Sequence, residues 1–172
     1  MILELREFED FPARAVLQAV ADEIKPSADS VIAVDGAEVS LAIQKSGEEY
    51  FCQGTVTAEV VLECARCLEQ YKVQVDGKTD FVICSDVKVT EEDDVIDDED
   101  YVYPRGTDLR IDITEQVRQA IDLALPLKPL CSEDCQGLCP SCGQNLNEGD
   151  CNCDGNNVDP RWEGLKGLFP EK

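Results

Sequence analysis

The sharpest pattern in the chain runs from residue 50 to residue 64. Every even position is small or apolar (Tyr50, Cys52, Gly54, Val56, Ala58, Val60, Leu62 and Cys64), while the odd side carries Gln53, Thr55, Thr57, Glu59 and Glu63, with Val61 as the one apolar intruder. Period two over this length predicts a long antiparallel strand buried on one face. Val39, Leu41 and Ile43 alternate before it, and residues 45–48 read as the intervening turn. Beyond a tight connection at 65–69, Tyr71, Val73 and Val75 and then residues 81–84 predict further strands, and another is expected at 2–8. Strands in succession point to a meander or barrel-like sheet rather than to alternating βαβ units.

Three segments follow the helical period instead. In 112–126, Asp112 can cap with Glu115 three residues on, Ile113, Val117, Ile121 and Leu125 form one stripe, and Pro126 stops the helix. That stripe is expected to pack on the sheet. In 12–24, Val16, Leu17, Val20 and Ile24 recur at helical spacing and predict a helix. At 159–169, Asp159 is a good N-cap, Pro160 suits the first helical position, and Trp162, Leu165 and Phe169 share a face.

The fold class this predicts is α+β. Residues 1–130 would form an antiparallel sheet or partly open barrel packed by one main helix, with an acidic loop at about 86–107. Residues 131–172 would form a Cys-rich, zinc-ribbon-like module with a short C-terminal helix, packed on the first domain.

Charge and cysteine content change the picture next. Thirty-seven acidic against fifteen basic residues give −22, and eight of the ten residues at 91–100 are acidic, which predicts a solvated loop. Such a chain is repelled by a phosphate backbone, so a basic protein partner is easier to defend than naked nucleic acid. Arg66, Arg161 and Lys166 are the basic side chains that would touch RNA if any do, and the sequence leaves direct contact open. Histidine is absent, which removes His-based triads and His-liganded catalytic zinc. Residues 1–11 have neither a basic n-region nor an apolar h-region, and no apolar run approaches the roughly 20 residues of a bilayer span. The expected location is the cytosol, where thiols stay reduced, and ten cysteines there call for metal.

Their spacing agrees. Cys139-x2-Cys142 followed by Cys151-x-Cys153 supplies two close pairs for one tetrahedral four-thiolate ion, with Gly143 giving a permissive backbone after the second ligand. Cys64-x2-Cys67 ends the long strand, and Cys131-x3-Cys135 is the spare pair. Two plus two makes a second zinc site stapling the sheet to the segment after the main helix, although Cys64 and Cys67 alone also read as a redox pair. Cys52 and Cys84 stand singly in strand patterns and read as small buried hydrophobes. Two zinc ions are expected, both in closed sites with no open coordination position. A non-enzymatic protein is therefore expected over a thiol redox or zinc-release sensor, and over an enzyme.

Gly54-x-Val56 leading into Leu62-Glu63-Cys64-Ala65-Arg66-Cys67-Leu68, then Leu123 to Pro126, Leu130-Cys131, the stretch from Gly137 to Gly143, Asn145-Leu146-Asn147, Cys151/Cys153 and Asp159-Pro160-Arg161 resemble the YceD family. These are bacterial and plastid proteins linked to accumulation of large-subunit ribosomal RNA. The resemblance implies a role in making or stabilising the large ribosomal subunit, with no catalytic activity attached. It also implies the shared site, because members lacking the ribbon tend to keep the C-x-R-C pair and ligand-type residues near the position of Cys131.

Overall fold

The computed structural model describes residues 1–20, 23–85, 101–104, 109–153 and 161. Strand β1 (Ile2–Glu4) leads through a short 3-10 turn at Leu5–Glu7 to β2 (Ala13–Val20), β3 (Val31–Ser46), β4 (Glu49–Glu63) and β5 (Gln70–Cys84). The short strands β6 (Tyr101–Val102) and β7 (Arg110–Asp112) precede helix α1 (Thr114–Ala124). Strands β2 to β5 form an antiparallel meander, β6 adds in parallel to β5, and β1 pairs with β7 in a separate two-stranded ribbon. The product is a curled half-barrel closed on its inner side by one helix, as the sequence pattern predicts.

Residue alternation decides which face is inner. On β4, Tyr50, Cys52, Val56, Ala58, Val60 and Leu62 are buried, and the polar odd positions face out. Opposite them Val39, Leu41 and Ile43 on β3 and Val75, Phe81 and Ile83 on β5 complete the wall. The segments expected as two strands at 71–75 and 81–84 are one continuous strand. Between them Gly77 and Thr79 keep the inward parity, and Gly77 lets the helix approach. A Cβ at Gly77 would stand 2.3 Å from the carbonyl oxygen of Ala120.

Helix α1 lies across β4 and β5 with Ile113, Val117, Ala120 and Ile121 buried and Leu125 packed at the edge, which is the predicted stripe plus one alanine. Its start differs from expectation. Asp112 does not cap in the predicted manner; its carboxylate accepts the backbone N–H of Thr114 at 3.0 Å, and Ile113 is the residue at the N-cap. Glu115 pairs with Arg118 one turn on instead of reaching back. Leu125, extended before Pro126, ends the helix.

Two further expectations are corrected. Residues 13–20 form a strand, not a helix, and pair with β3 in unbroken register from Ala13↔Ile43 to Val20↔Gly36. The residues turned to the core are the small Ala15 and Ala19, with Leu17 packed against it on the same side, whereas Val16 and Val20, which suggested a helical stripe, stand 64% and 70% exposed on the outer face. Backbone pairing with a 16-residue neighbour outweighs the weak local preference. Only three residues of the strand expected at 2–8 are extended in a ladder, because Leu5–Glu7 turn to bring Leu5 into the core. The acidic run at 91–100 and the helix expected at 159–169, save Arg161, lie outside the described residues. Among the described residues no helix is long and apolar enough to cross a membrane.

Cys52 is 1% exposed within the core, as its strand parity predicts, and burial pushes its thiol up to about 12. Cys84 departs from the prediction: it ends β5 opposite Glu49 and is only half-buried.

Two measurements check this packing. Gly77→Ala should lower the unfolding free energy by about 1–3 kcal/mol, since helix and sheet must part to admit the methyl group; a denaturation midpoint equal to that of the parent would contradict the packing. At pH 9, where an ordinary thiol is half ionised, Cys52 should remain protonated and resist iodoacetamide in the folded protein, then alkylate on unfolding. Peptide mapping by mass spectrometry reads this residue separately from the other nine.

Candidate metal centres

All ten cysteines are free, and eight of them converge in two groups of four. The first centre joins Cys64 and Cys67, in the turn after β4, to Cys131 and Cys135, beyond the end of α1. The second joins Cys139, Cys142, Cys151 and Cys153. Within each group every sulfur lies within 4.8 Å of every other. In the first centre the Sγ atoms of Cys64 and Cys135 are 3.8 Å apart and those of Cys67 and Cys131 are 3.6 Å apart. A tetrahedral ion bonded to four thiolates at about 2.3 Å requires sulfur–sulfur edges of about 3.8 Å, so the four sulfurs fit such an ion. Either tetrad could hold a metal ion, and neither includes Cys52 or Cys84.

The two C-x2-C turns are built alike. In the first, the N–H of Arg66 points at Cys64 Sγ (3.5 Å), the N–H of Leu68 reaches Cys64 O (3.0 Å), and the N–H of Cys64 donates to Glu69 O (2.9 Å). In the second, Ser141, Gly143 and Cys139 repeat these bonds: Ser141 N–H to Cys139 Sγ (3.4 Å), Gly143 N–H to Cys139 O (2.9 Å) and Cys139 N–H to Gln144 O (2.8 Å). The residue after the second cysteine must turn left-handed in both. Gly143 does so at φ +76°, and Leu68 does so at φ +61°, where a branched side chain is uncommon. The hydrogen bonds of the turn hold Leu68 there, with its side chain 56% exposed.

The thiols show what this geometry does. Burial opposes ionisation of Cys64, but the backbone N–H groups of Cys67, Cys131 and Arg66 prevail and bring the thiol down to about 6. The N–H groups of Cys142 and Ser141 do the same for Cys139, also to about 6. Their neighbours go the other way. The Glu69 N–H favours the Cys67 thiolate, yet burial and contact with Cys64, Cys131 and Cys135 push it up to about 12. Cys153 is pushed to about 12 by contact with Cys142, then by burial and Cys139. Each tetrad thus mixes thiols that ionise readily, Cys135 among them through the amide of Asn147, with thiols that resist, and shedding all four protons requires a cation among the sulfurs.

The centres differ in exposure. Cys64, Cys67 and Cys135 are buried, with Tyr71, Leu130 and Leu138 packed around them, and only Cys131 is exposed. In the second centre Cys139 alone is buried, Cys142 is exposed, and Cys151 and Cys153 are half-buried.

Two polar side chains complete the first centre. Arg66, a candidate for RNA contact in the sequence, donates from Nη1 to the carbonyls of Cys135 (2.7 Å) and Glu133 (3.3 Å), clamping one ligand-bearing arm to the other. Gly137 lies beneath it at φ +76°, and a Cβ there would stand 3.0 Å from Arg66 O. Asn147 donates from Nδ2 to Cys135 Sγ at 3.4 Å. Its place in Asn145-Leu146-Asn147 was a visible motif, but only the fold shows which sulfur it meets. Lys166 lies outside the described residues.

Metal content per chain of reduced, natively purified protein checks the assignment. We expect two ions in the parent, one in Cys64→Ser/Cys67→Ser and one in Cys139→Ser/Cys142→Ser. Two ions persisting in either variant would show that its tetrad is not a centre.

Comparison with known proteins places this arrangement in a family. The model of the YceD family, described as large ribosomal RNA subunit accumulation protein YceD, matches residues 52–169 and so spans both tetrads. An uncharacterized protein of Mycobacterium tuberculosis is 32% identical over 170 residues, covering 95% of this chain and 72% of the relative. A maize protein named large ribosomal RNA subunit accumulation protein YCED homolog 1, chloroplastic, is 28% identical over 156 residues, covering 76% of this chain and 53% of the relative. The Arabidopsis thaliana protein of the same name is 34% identical over 61 residues, covering 36% of this chain and 19% of the relative. No solved structure matches the chain. The sequence motifs, the two cysteine tetrads and the match over residues 52–169 agree: this chain belongs to the YceD family.

Proposed function

We propose that this protein is a non-enzymatic, zinc-bearing accessory factor of ribosome biogenesis that supports accumulation or processing of large-subunit ribosomal RNA through a basic protein partner. The observation that carries the reading is the pair of four-cysteine centres in a chain of a family named for large-subunit RNA accumulation. Zinc is the ion that the donor set favours, because four thiolates in a tetrahedron suit its size, softness and lack of geometric preference. Such centres have no open coordination position for a substrate, and a chain without histidine lacks the usual base near neutral pH. Structural zinc of this kind holds a surface in shape instead of doing chemistry. Free thiols at this density favour a reducing compartment such as the cytosol.

The charge of −22 supports a basic protein as the partner, and ribosomal proteins and their assembly factors supply that chemistry. Attraction of this kind accelerates encounter and weakens as salt screens it. A second reading, a zinc-release sensor, draws on the exposure of Cys142 and the half-burial of Cys151 and Cys153, which leave the second centre open to oxidants. Retention of both ions and of the fold through mild peroxide treatment would exclude it.

Sucrose-gradient fractionation tests the first reading. Tagged protein should co-sediment with large-subunit precursors at low salt and leave them as salt is raised, and deletion of the gene should lower the ratio of large- to small-subunit RNA. Absence from every pre-ribosomal fraction, with that ratio unchanged on deletion, would refute it.

A further inference from the structure

The two cysteine centres are not independent modules. The loop between Cys142 and Cys151 belongs to the second centre by its ends, yet its middle lies against the first. Asn147, in that loop, donates from Nδ2 to Cys135 Sγ (3.4 Å) and accepts at Oδ1 the N–H of Gln136 (2.8 Å). Asn145 orients it, its Oδ1 accepting both the N–H (3.0 Å) and the Nδ2–H (2.8 Å) of Asn147. Leu146 N–H donates to Gly137 O (2.9 Å), and Leu138 bridges to Asn145 while packing its side chain on Cys64, Cys67 and Cys135. The segment that an ion at the second centre would close on itself therefore supplies a hydrogen bond to a sulfur of the first centre and, through Asn145, a backbone bridge to Leu138 of its apolar wall.

We propose that metal binding at the two centres is cooperative, with Asn147 as the positioning residue that transmits it. This rests on reading the two tetrads as metal centres. Filling the second centre fixes residues 139–153 as one closed loop, and so fixes the amide that orients and stabilises the Cys135 thiolate. A donor held in place costs no ordering when the first ion arrives, whereas a loop still open must be ordered at that moment. By linkage the effect is reciprocal: an ion at the first centre, by holding Cys135 and Gln136 still, raises the affinity of the second by the same factor. The consequence is a protein that passes from metal-free to fully loaded over a narrow range of free zinc, with few singly loaded chains between.

The test uses the full chain, reduced and metal-free, equilibrated with zinc in chelator buffers. Occupancy of each centre is read separately by alkylating unprotected thiols and mapping the modified cysteines. We expect the first centre of Cys139→Ser/Cys142→Ser to bind zinc at least about 10-fold more weakly than that of the parent. The second centre of Cys64→Ser/Cys67→Ser should be weakened by a matching factor. Asn147→Ala, which leaves all eight ligands, should weaken the first centre by about 10–100-fold while the chain still takes two ions at saturation. Added to Cys139→Ser/Cys142→Ser, the same substitution should do little more, because the contact is already loose. Two ions bound with affinities that neither partner centre nor Asn147 alters would overturn the inference and leave the metal reading standing. No protection of either tetrad at any zinc concentration would overturn both. If a double-serine variant does not fold, Asn147→Ala decides alone: unchanged occupancy curves refute the coupling.

Discussion

Four thiols held within a few ångströms of one another can all become thiolates only if a cation sits among them. That constraint applies to residues 131–153 and ties them to the sheet. At the first centre the ligands come from two places: a turn fixed by the end of β4, and a segment delivered by the end of α1. The hydrophobic core places the first pair, since Cys64 continues the inward parity of a strand whose even residues are buried. The helix places the second pair, since α1 is seated on β5 over Gly77 and stops where Pro126 forces the backbone to extend. An ion there closes a loop of 71 residues between Cys64 and Cys135. By chain-entropy reckoning for a cross-link of that span, the unfolded state is disfavoured by on the order of 4 kcal/mol.

The same local solution serves twice. Each C-x2-C turn aims backbone N–H groups at its first sulfur, closes with a hydrogen bond to the first cysteine's carbonyl, and passes through one left-handed residue. What differs is the setting. The first turn is sunk beside the half-barrel and roofed by Tyr71, Leu130 and Leu138, whereas the second stands further into solvent. Two cysteine groups of unequal shelter are thus joined through the short stretch between Cys135 and Cys139.

Much of this was legible in the chain. The strand at β4 was readable because its alternation is strict and its core face takes only small and apolar side chains. The ligand sets were readable because paired cysteines at short spacing admit few alternatives once a reducing compartment is assumed. The main helix could be recognised by its stripe, though not by its cap, where a threonine two residues on competes for the Asp112 carboxylate. Residues 13–20 misled because β-strand identity is conferred by the partner. Alanines at 15 and 19 look like helix formers until β3 is beside them. The roles of Arg66 and Asn147 were hidden for a different reason: a side-chain hydrogen bond across 12 or 69 residues leaves no periodicity to detect.

The first centre also imposes an order in time. Its two ligand pairs are separated by 64 residues between Cys67 and Cys131. During synthesis at roughly 5–20 residues per second, the first pair waits several seconds for the second. Until then the turn after β4 is a half-site with two unmatched thiols, and the half-barrel lacks its helix. A nascent chain that stalls or is truncated before residue 135 can never complete the centre, so closure of this site marks, chemically, that the ribosome has delivered the half-barrel and its helix.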